Sequence, residues 1–269
     1  MSNNSCIITF FYPGVENKID NFFKSLKRQS DQKFDLIIFF NNKKNFLLPL
    51  NKLKITIFKL NKSIIPSRFE MIKIITRLNY TNYIFQDADD LMKLNRVKIC
   101  KNLLKKHSVV INDLDIYGDK ILKNYLNRRI KNNTIVSAGD IINYNFCGMS
   151  NTAVRKKCLL KVNIPYTNKV KMFDWYLWTI ILSKYRGIFT NKTSIKYYIN
   201  KNSPTCIPTK YKKKINLKIL DIKKVHKKII NSLIVKKKIV NIKLFKKKKI
   251  VINKKYNFWW EENTDVSKF

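Results

Sequence analysis

The sequence predicts an α/β domain ending near residue 205, followed by a basic tail. Three observations lead there. The early apolar runs, CIITFF at Cys6 to Phe11 and LIIFF at Leu36 to Phe40, are continuous rather than alternating, as in strands covered on both faces of a parallel sheet. A segment with helical spacing stands between them. The 269 residues, 45% of them hydrophobic, suffice for one large core and a smaller appendage.

Each element follows in order. Ile19, Phe22, Phe23 and Leu26 fall at i, i+3, i+4 and i+7, an amphipathic helix that completes a β-α-β unit with the two apolar runs. Ile55 to Phe58 is a third strand. Ser67-Arg68-Phe69-Glu70 has the S-x-x-E form of a capping box and is expected to open a helix running to about Leu78. Tyr83 to Phe85 is the next strand. Helices over Asn95 to Leu104, Asn151 to Leu160 and Phe173 to Ser183, with strands over Ser108 to Asn112, near Ile188 and over Ile195 to Ile199, continue the alternation.

Composition excludes several classes. The five cysteines are odd in number and scattered, without C-x-x-C, and are expected to be reduced thiols in a cytosolic compartment. With two histidines, His-rich metal centres and His-based triads are not expected. The five glycines form neither a dinucleotide fingerprint nor a P-loop. No signal peptide is read at the start, and no apolar run approaches the ~18–20 residues that span a bilayer.

Lysine and arginine number 56 against 17 acids, a formal charge of +39. Codons for Lys, Asn and Ile are A/T-rich, so coding bias is one source of the excess. It does not explain clustering: between Lys210 and Lys255 the only acid is Asp221.

Against that background, NYIFQDADDLM places Asp87, Asp89 and Asp90 directly behind a strand. Two unit charges ~5 Å apart at an effective dielectric near 20 repel by about 3 kcal/mol. The cluster therefore needs compensation or raised pKa values. Two arrangements answer this. In one, hard oxygen ligands share Mg2+ or Mn2+, completed by the phosphates of a nucleotide beyond the carboxyl end of a sheet strand. In the other, the acids cap a helix beginning at Leu91, with lysines nearby.

The order of these pieces resembles the family 2 type of GT-A nucleotide-sugar glycosyltransferases, distributed over most of residues 6–202. FYPGVE offers Tyr12 and Glu16 where the family has a Tyr-Asn-x-Glu-like turn, with Gly14 in place of the usual Asn. Ser25-Leu26-Lys27-Arg28-Gln29 matches the family's Ser-Leu-x-x-Gln helix end. Phe40-Asn41-Asn42 stands where an Asp-Asp pair reads the donor base. Arg68 matches the arginine ahead of the diphosphate site, and FQDADD resembles the D-x-D box.

The resemblance implies a GT-A (Rossmann-like) mixed, mostly parallel sheet flanked by helices over residues 1–205, with a Lys-rich extension over 206–269. It implies an inverting, metal-dependent transfer from a nucleoside-diphosphate sugar, a UDP-sugar foremost, to a glycan or lipid-linked acceptor in cell-surface polysaccharide synthesis. Donor binding then falls to Tyr12, Glu16, Asn41, Arg68, Asp87 and Lys201, and Mn2+ or Mg2+ binding to Asp87, Asp89 and Asp90. NFCGMS, Asn145 to Ser150, stands as the acceptor-side loop. Asp174 in MFDWYLW stands as general base, with a helix N-cap as its alternative. Trp175 and Trp178 are core residues before they are sugar platforms. The family's metal-binding His is missing from Tyr198-Ile199-Asn200-Lys201-Asn202, and Lys201 falls near its position.

The tail's lysine runs alternate with apolar triplets, which suits either docking on an anionic membrane surface or a solvated helical extension. The expected location is cytoplasmic, peripheral at the membrane face. A degenerate, inactive transferase and a polyanion-binding protein are the competing readings. The second lacks any recognised nucleic-acid motif, so no specific nucleic acid is expected. A nucleotidyltransferase ranks last, because FFYPGVENK lacks a Gly-rich basic loop.

Overall fold

A computed structural model describes residues 4–40, 53–118, 121–141 and 145–199, with short pieces at 206–208, 224–225, 228–229, 231–232 and 256–258. Strands β1 (Ser5–Phe11), β2 (Asp35–Phe40), β3 (Ile55–Lys59) and β4 (Asn82–Phe85) run parallel, in the order β3-β2-β1-β4. Every residue of β1 is buried, which is why its sequence is apolar without alternation.

The sheet continues from β4 through β8 (Thr152–Arg155) and β6 (Val109–Gly118) to β9 (Gly187–Ile199). β8 is antiparallel to both neighbours, while β6 and β9 run parallel. The short strands β5 (Leu91–Met92) and β7 (Ile135–Val136) pair antiparallel with β9. The sheet is therefore mixed and mostly parallel. One consequence governs the site: β1, β4, β6 and β9 all end at the same edge, and the loop entering β8 lies there too.

Helix α1 (Ile19–Lys27) buries Ile19, Phe22, Phe23 and Leu26, the residues spaced for it in sequence. Gln29, just beyond, is buried; its Oε1 accepts the Val97 N–H at 3.0 Å and its Nε2 donates to Lys93 O at 2.9 Å. The Ser-Leu-x-x-Gln motif thus clamps α1 to the start of α3 (Arg96–Leu104).

Helix α2 (Ile64–Arg77) starts one residue after Ser63, not at Ser67. Pro66 sits in its first turn, where a missing N–H costs nothing, so the helix extends past the expected capping box. Ser67 is inside it, its Oγ donating to Lys62 O at 3.0 Å, and Glu70 pairs with Lys62 at 3.3 Å. The helix expected over Asn151 to Leu160 is a second correction: its first half is β8, seated between β4 and β6, and only α5 (Lys156–Leu160) is helical. Ala153 and Val154 are fully buried in the sheet centre, an environment that favours strand over local helix propensity.

A short helix α4 (Ala138–Ile141) packs on α6 (Phe173–Lys184), whose residues Trp175 to Leu182 are all buried. Trp175 donates through Nε1 to Ile141 O at 2.7 Å, and Trp178 meets Phe85 edge-on at 5.6 Å, so both tryptophans are core. Strands β10 (Cys206–Pro208) and β11 (Tyr256–Phe258) pair antiparallel as a separate ribbon. The lysine runs of the tail lie outside the described residues.

Candidate active site

Tyr12 follows β1, Asp87 to Asp90 follow β4, Tyr117 closes β6 and Tyr198 lies at the end of β9. The parallel topology therefore gathers them at one edge. Leu91 and Met92 enter β5 rather than a helix, so the acids cap no helix.

The three aspartates point different ways. Asp87, partly exposed, lies 3.5 Å from Arg68 Nη2, an ion pair at the long end of hydrogen bonding. Its backbone N–H donates to Ser150 Oγ at 2.8 Å, and the Ser150 hydroxyl donates back to Oδ2 at 3.2 Å. Asp89 accepts from the Tyr12 hydroxyl. Burial raises its pKa, the Asp87 charge adds to that, and Tyr12 and Arg68 pull the other way. The same burial, with Asp89 beside it, pushes the Tyr12 hydroxyl far up, so it remains a proton donor.

Asp90, expected to join its neighbours on one ion, is 1% exposed, and its Oδ1 accepts the Tyr198 N–H at 2.8 Å. It joins the acidic turn to β9, while Oδ2 has no hydrogen-bond partner. Burial, then Asp89 and Asp87, raise its pKa well above the usual carboxylate range.

Among the described residues no group of three or more His, Cys, Asp or Glu side chains is arranged for a metal ion. What the turn offers is Asp87 and Asp89, a partial set of hard oxygens. That fits Mg2+-type binding, which typically uses one or two carboxylates and takes the rest from phosphates and water.

Asp174 stands in the first turn of α6, with Met172 rather than Asp174 at the N-cap position. Its Oδ1 accepts the Trp175 N–H at 2.8 Å, and Asn145 Nδ2 donates to Oδ2 at 3.5 Å. Burial raises its pKa, and the Arg68 charge is the chief opposing influence. Asp174 and Asp87 line one cavity of about 80 Å³ together with Asn145, Gly148, Ser150 and Tyr197. The loop read as acceptor-side thus lies between the two carboxylates.

Two expected donor residues, Asn41 and Lys201, lie outside the described residues. Glu16 accepts the Gly14 N–H at 2.7 Å in an exposed turn. Other residues enter unannounced. Tyr117 donates to Asp89 O at 3.2 Å and meets Tyr198 edge-on at 5.3 Å. Lys18 Nζ sits 3.7 Å from the Tyr198 ring centre, a cation–π contact beside the acids. Arg96 lies fully buried beneath the turn. Their sequence neighbours carry no motif; only the pairing of β6 with β9 brings Tyr117 opposite Tyr198.

No protein-family model matches the chain. No curated protein sequence matches it either. Solved structures do. Residues 1–349 of S. aureus TarS, in complex with UDP-GlcNAc, superpose with a TM-score of 0.60 at 15% identity, covering 84% of this chain and 70% of that one. A longer S. aureus TarS structure gives 0.58 at 16% identity, over 86% of this chain and 43% of that one. GalNAc-T7 with UDP, GalNAc and Mn2+ gives 0.52 at 9% identity, over 73% of this chain and 44% of its own length. The chain thus spans less than half of the longer TarS structure and of GalNAc-T7. The architecture this sequence folds into is the GT-A glycosyltransferase fold.

Proposed function

We propose that the chain is an inverting glycosyltransferase that moves a sugar from a nucleoside diphosphate, foremost UDP, to a hydroxyl of a glycan or lipid-linked acceptor. The observation that carries this reading is that Asp87 and Asp174 line one cavity, with the Arg68 charge acting on both. The fold neighbours that hold UDP or UDP-GlcNAc support the donor class.

In this reading Arg68 leaves Asp87 for the donor diphosphate, to which a guanidinium donates in pairs. Tyr12 holds Asp89 in place. Asp87 and Asp89 would hold a divalent cation, Mn2+ or Mg2+, which when bound supplies positive charge to the departing diphosphate. Asp174 accepts the proton of the acceptor hydroxyl as that oxygen attacks the anomeric carbon opposite the leaving group, so one displacement inverts the centre. Burial raises the basicity of Asp174, which suits that role. Asn41, Glu16 and Lys201 remain part of the proposed donor site, and Asp90 reaches an ion only through the turn it anchors. The catalytic domain is residues 1–205. The extension over 206–269 docks the enzyme on an anionic cytoplasmic membrane face, where lipid-linked acceptors are found. Among the described residues no helix is long and apolar enough to cross a membrane.

The test is UDP release from a panel of UDP-sugars, with Mn2+ and with EDTA. Turnover of at least one donor is expected. Absence of both turnover and UDP binding across the panel refutes the reading.

A further inference from the structure

Arg96 is 0% exposed and opens α3 directly beneath the acidic turn. Its guanidinium makes four bonds: Nε to Asn112 Oδ1 at 2.8 Å, Nη1 to Gln86 Oε1 at 2.8 Å, and Nη2 to Phe85 O at 2.9 Å and Thr152 O at 3.5 Å. These acceptors belong to β4, its exit, β6 and β8, so one side chain ties three strands together. All four are neutral. No carboxylate is within ion-pair distance of Arg96 among the described residues.

A buried cation without a counter-charge is among the costliest groups a fold can hold. Burial lowers the Arg96 pKa, and the Cys100 sulfur, Asp90 and Asp87 act in the opposite direction. The aspartates have the reciprocal problem: three carboxylates within four positions, one of them buried with an oxygen that has no partner.

We propose that Arg96 is a positioning residue and the built-in counter-cation of the Asp87–Asp90 turn. Its charge, delivered through Gln86 and the end of β4, lets the carboxylates stay together in the absence of a metal ion. The same charge sets how tightly the turn holds a divalent cation, by opposing it from below. This deepens the donor-site reading and rests on it for its functional meaning.

The experiment compares Mn2+ affinity, read by the electron-spin-resonance signal of free Mn2+, in wild type and Arg96→Met. A counter-cation role predicts Mn2+ binding at least about fivefold tighter in the variant, since a unit of opposing charge is gone. It also predicts a larger rise in melting temperature on adding Mn2+ than wild type shows. A residue that only braces the strands would move affinity the other way, because a loosened turn binds an ion less well. Equal or weaker affinity in the variant, or no Mn2+ binding by either protein, overturns the proposal.

Should Arg96→Met unfold in EDTA, recovery of the wild-type circular dichroism spectrum with Mn2+ supports it. Should it stay unfolded with Mn2+, Arg96→Lys decides. A folded lysine variant with Mn2+ affinity within about twofold of wild type supports the charge; an unfolded one, or one outside that range, overturns it. The Mn2+ titration needs no nucleotide. A wild-type chain that binds no UDP therefore refutes the donor reading, while the comparison of variants still decides this one.

Discussion

Replacing Asp174 by asparagine removes the proton acceptor and changes little else. The asparagine oxygen can still take the Trp175 N–H that Oδ1 accepts at 2.8 Å, and what is given up is the 3.5 Å contact from Asn145, whose Oδ1 stays bonded to the Cys147 N–H at 3.2 Å. Loss of a general base typically lowers turnover by about 10²–10⁴-fold. At 1.36 kcal/mol per decade this is roughly 2.7–5.4 kcal/mol of transition-state stabilisation. Stability moves oppositely. Burial raises the Asp174 pKa, so the folded chain binds that proton more tightly than the unfolded one. The group's contribution is present below the unfolded pKa and lost as pH rises through the folded pKa, which makes the ionised carboxylate a liability at neutral pH. UDP-release kinetics should therefore show a large fall in kcat with donor KM nearly unchanged, and calorimetry a Tm equal to or above wild type. The acid limb of the wild-type kcat profile should lie above the ordinary aspartate range. Turnover within tenfold of wild type, or a loss matched by a falling Tm, would refute the assignment.

Arg68→Met should raise donor KM by about tenfold or more, because charge-assisted bonds to the diphosphate are lost. It should also move the acid limb of kcat to higher pH, since the Arg68 charge holds the Asp174 pKa down; an unshifted limb would separate the two residues. Gln29→Leu leaves the Val97 N–H without its acceptor, while Lys93 O keeps the Arg96 N–H at 3.0 Å. At about 1–3 kcal/mol for a buried group left unsatisfied, and about 2–4 °C per kcal/mol in a domain of this size, Tm should fall by roughly 2–12 °C. A melting curve superimposable on wild type would show that the α1–α3 clamp is not needed.

The parts legible in sequence are those whose cause is local. Continuous burial makes β1 and β2 apolar on both faces apart from Ser5, Thr9 and Asp35, and one-sided burial gives α1 its spacing. The DADD turn is visible because acids at a strand exit break a basic composition. The segment Asn151 to Leu160 reads as helix because its local preferences are helical, while its first half is held by two flanking strands from distant parts of the chain. Arg96 is hidden for the same reason. In the run Asn95-Arg96-Val97 it looks like a helix-surface arginine, and its partners Gln86, Asn112 and Thr152 are scattered over 66 positions (86 to 152). Asp90 is a milder case: sequence groups it with Asp87 and Asp89, whereas a backbone N–H more than a hundred residues away turns it inward.

That last bond has an evolutionary consequence. Asp90 is anchored by the main chain of residue 198, not by its side chain. Nineteen of the twenty amino acids carry that N–H, and proline alone does not. Related sequences are therefore free to change the side chain at 198, exchanging an aromatic ring for whatever their own donor demands, without disturbing the aspartate behind it. A site of this construction can drift in specificity at its rim while the turn beneath stays fixed.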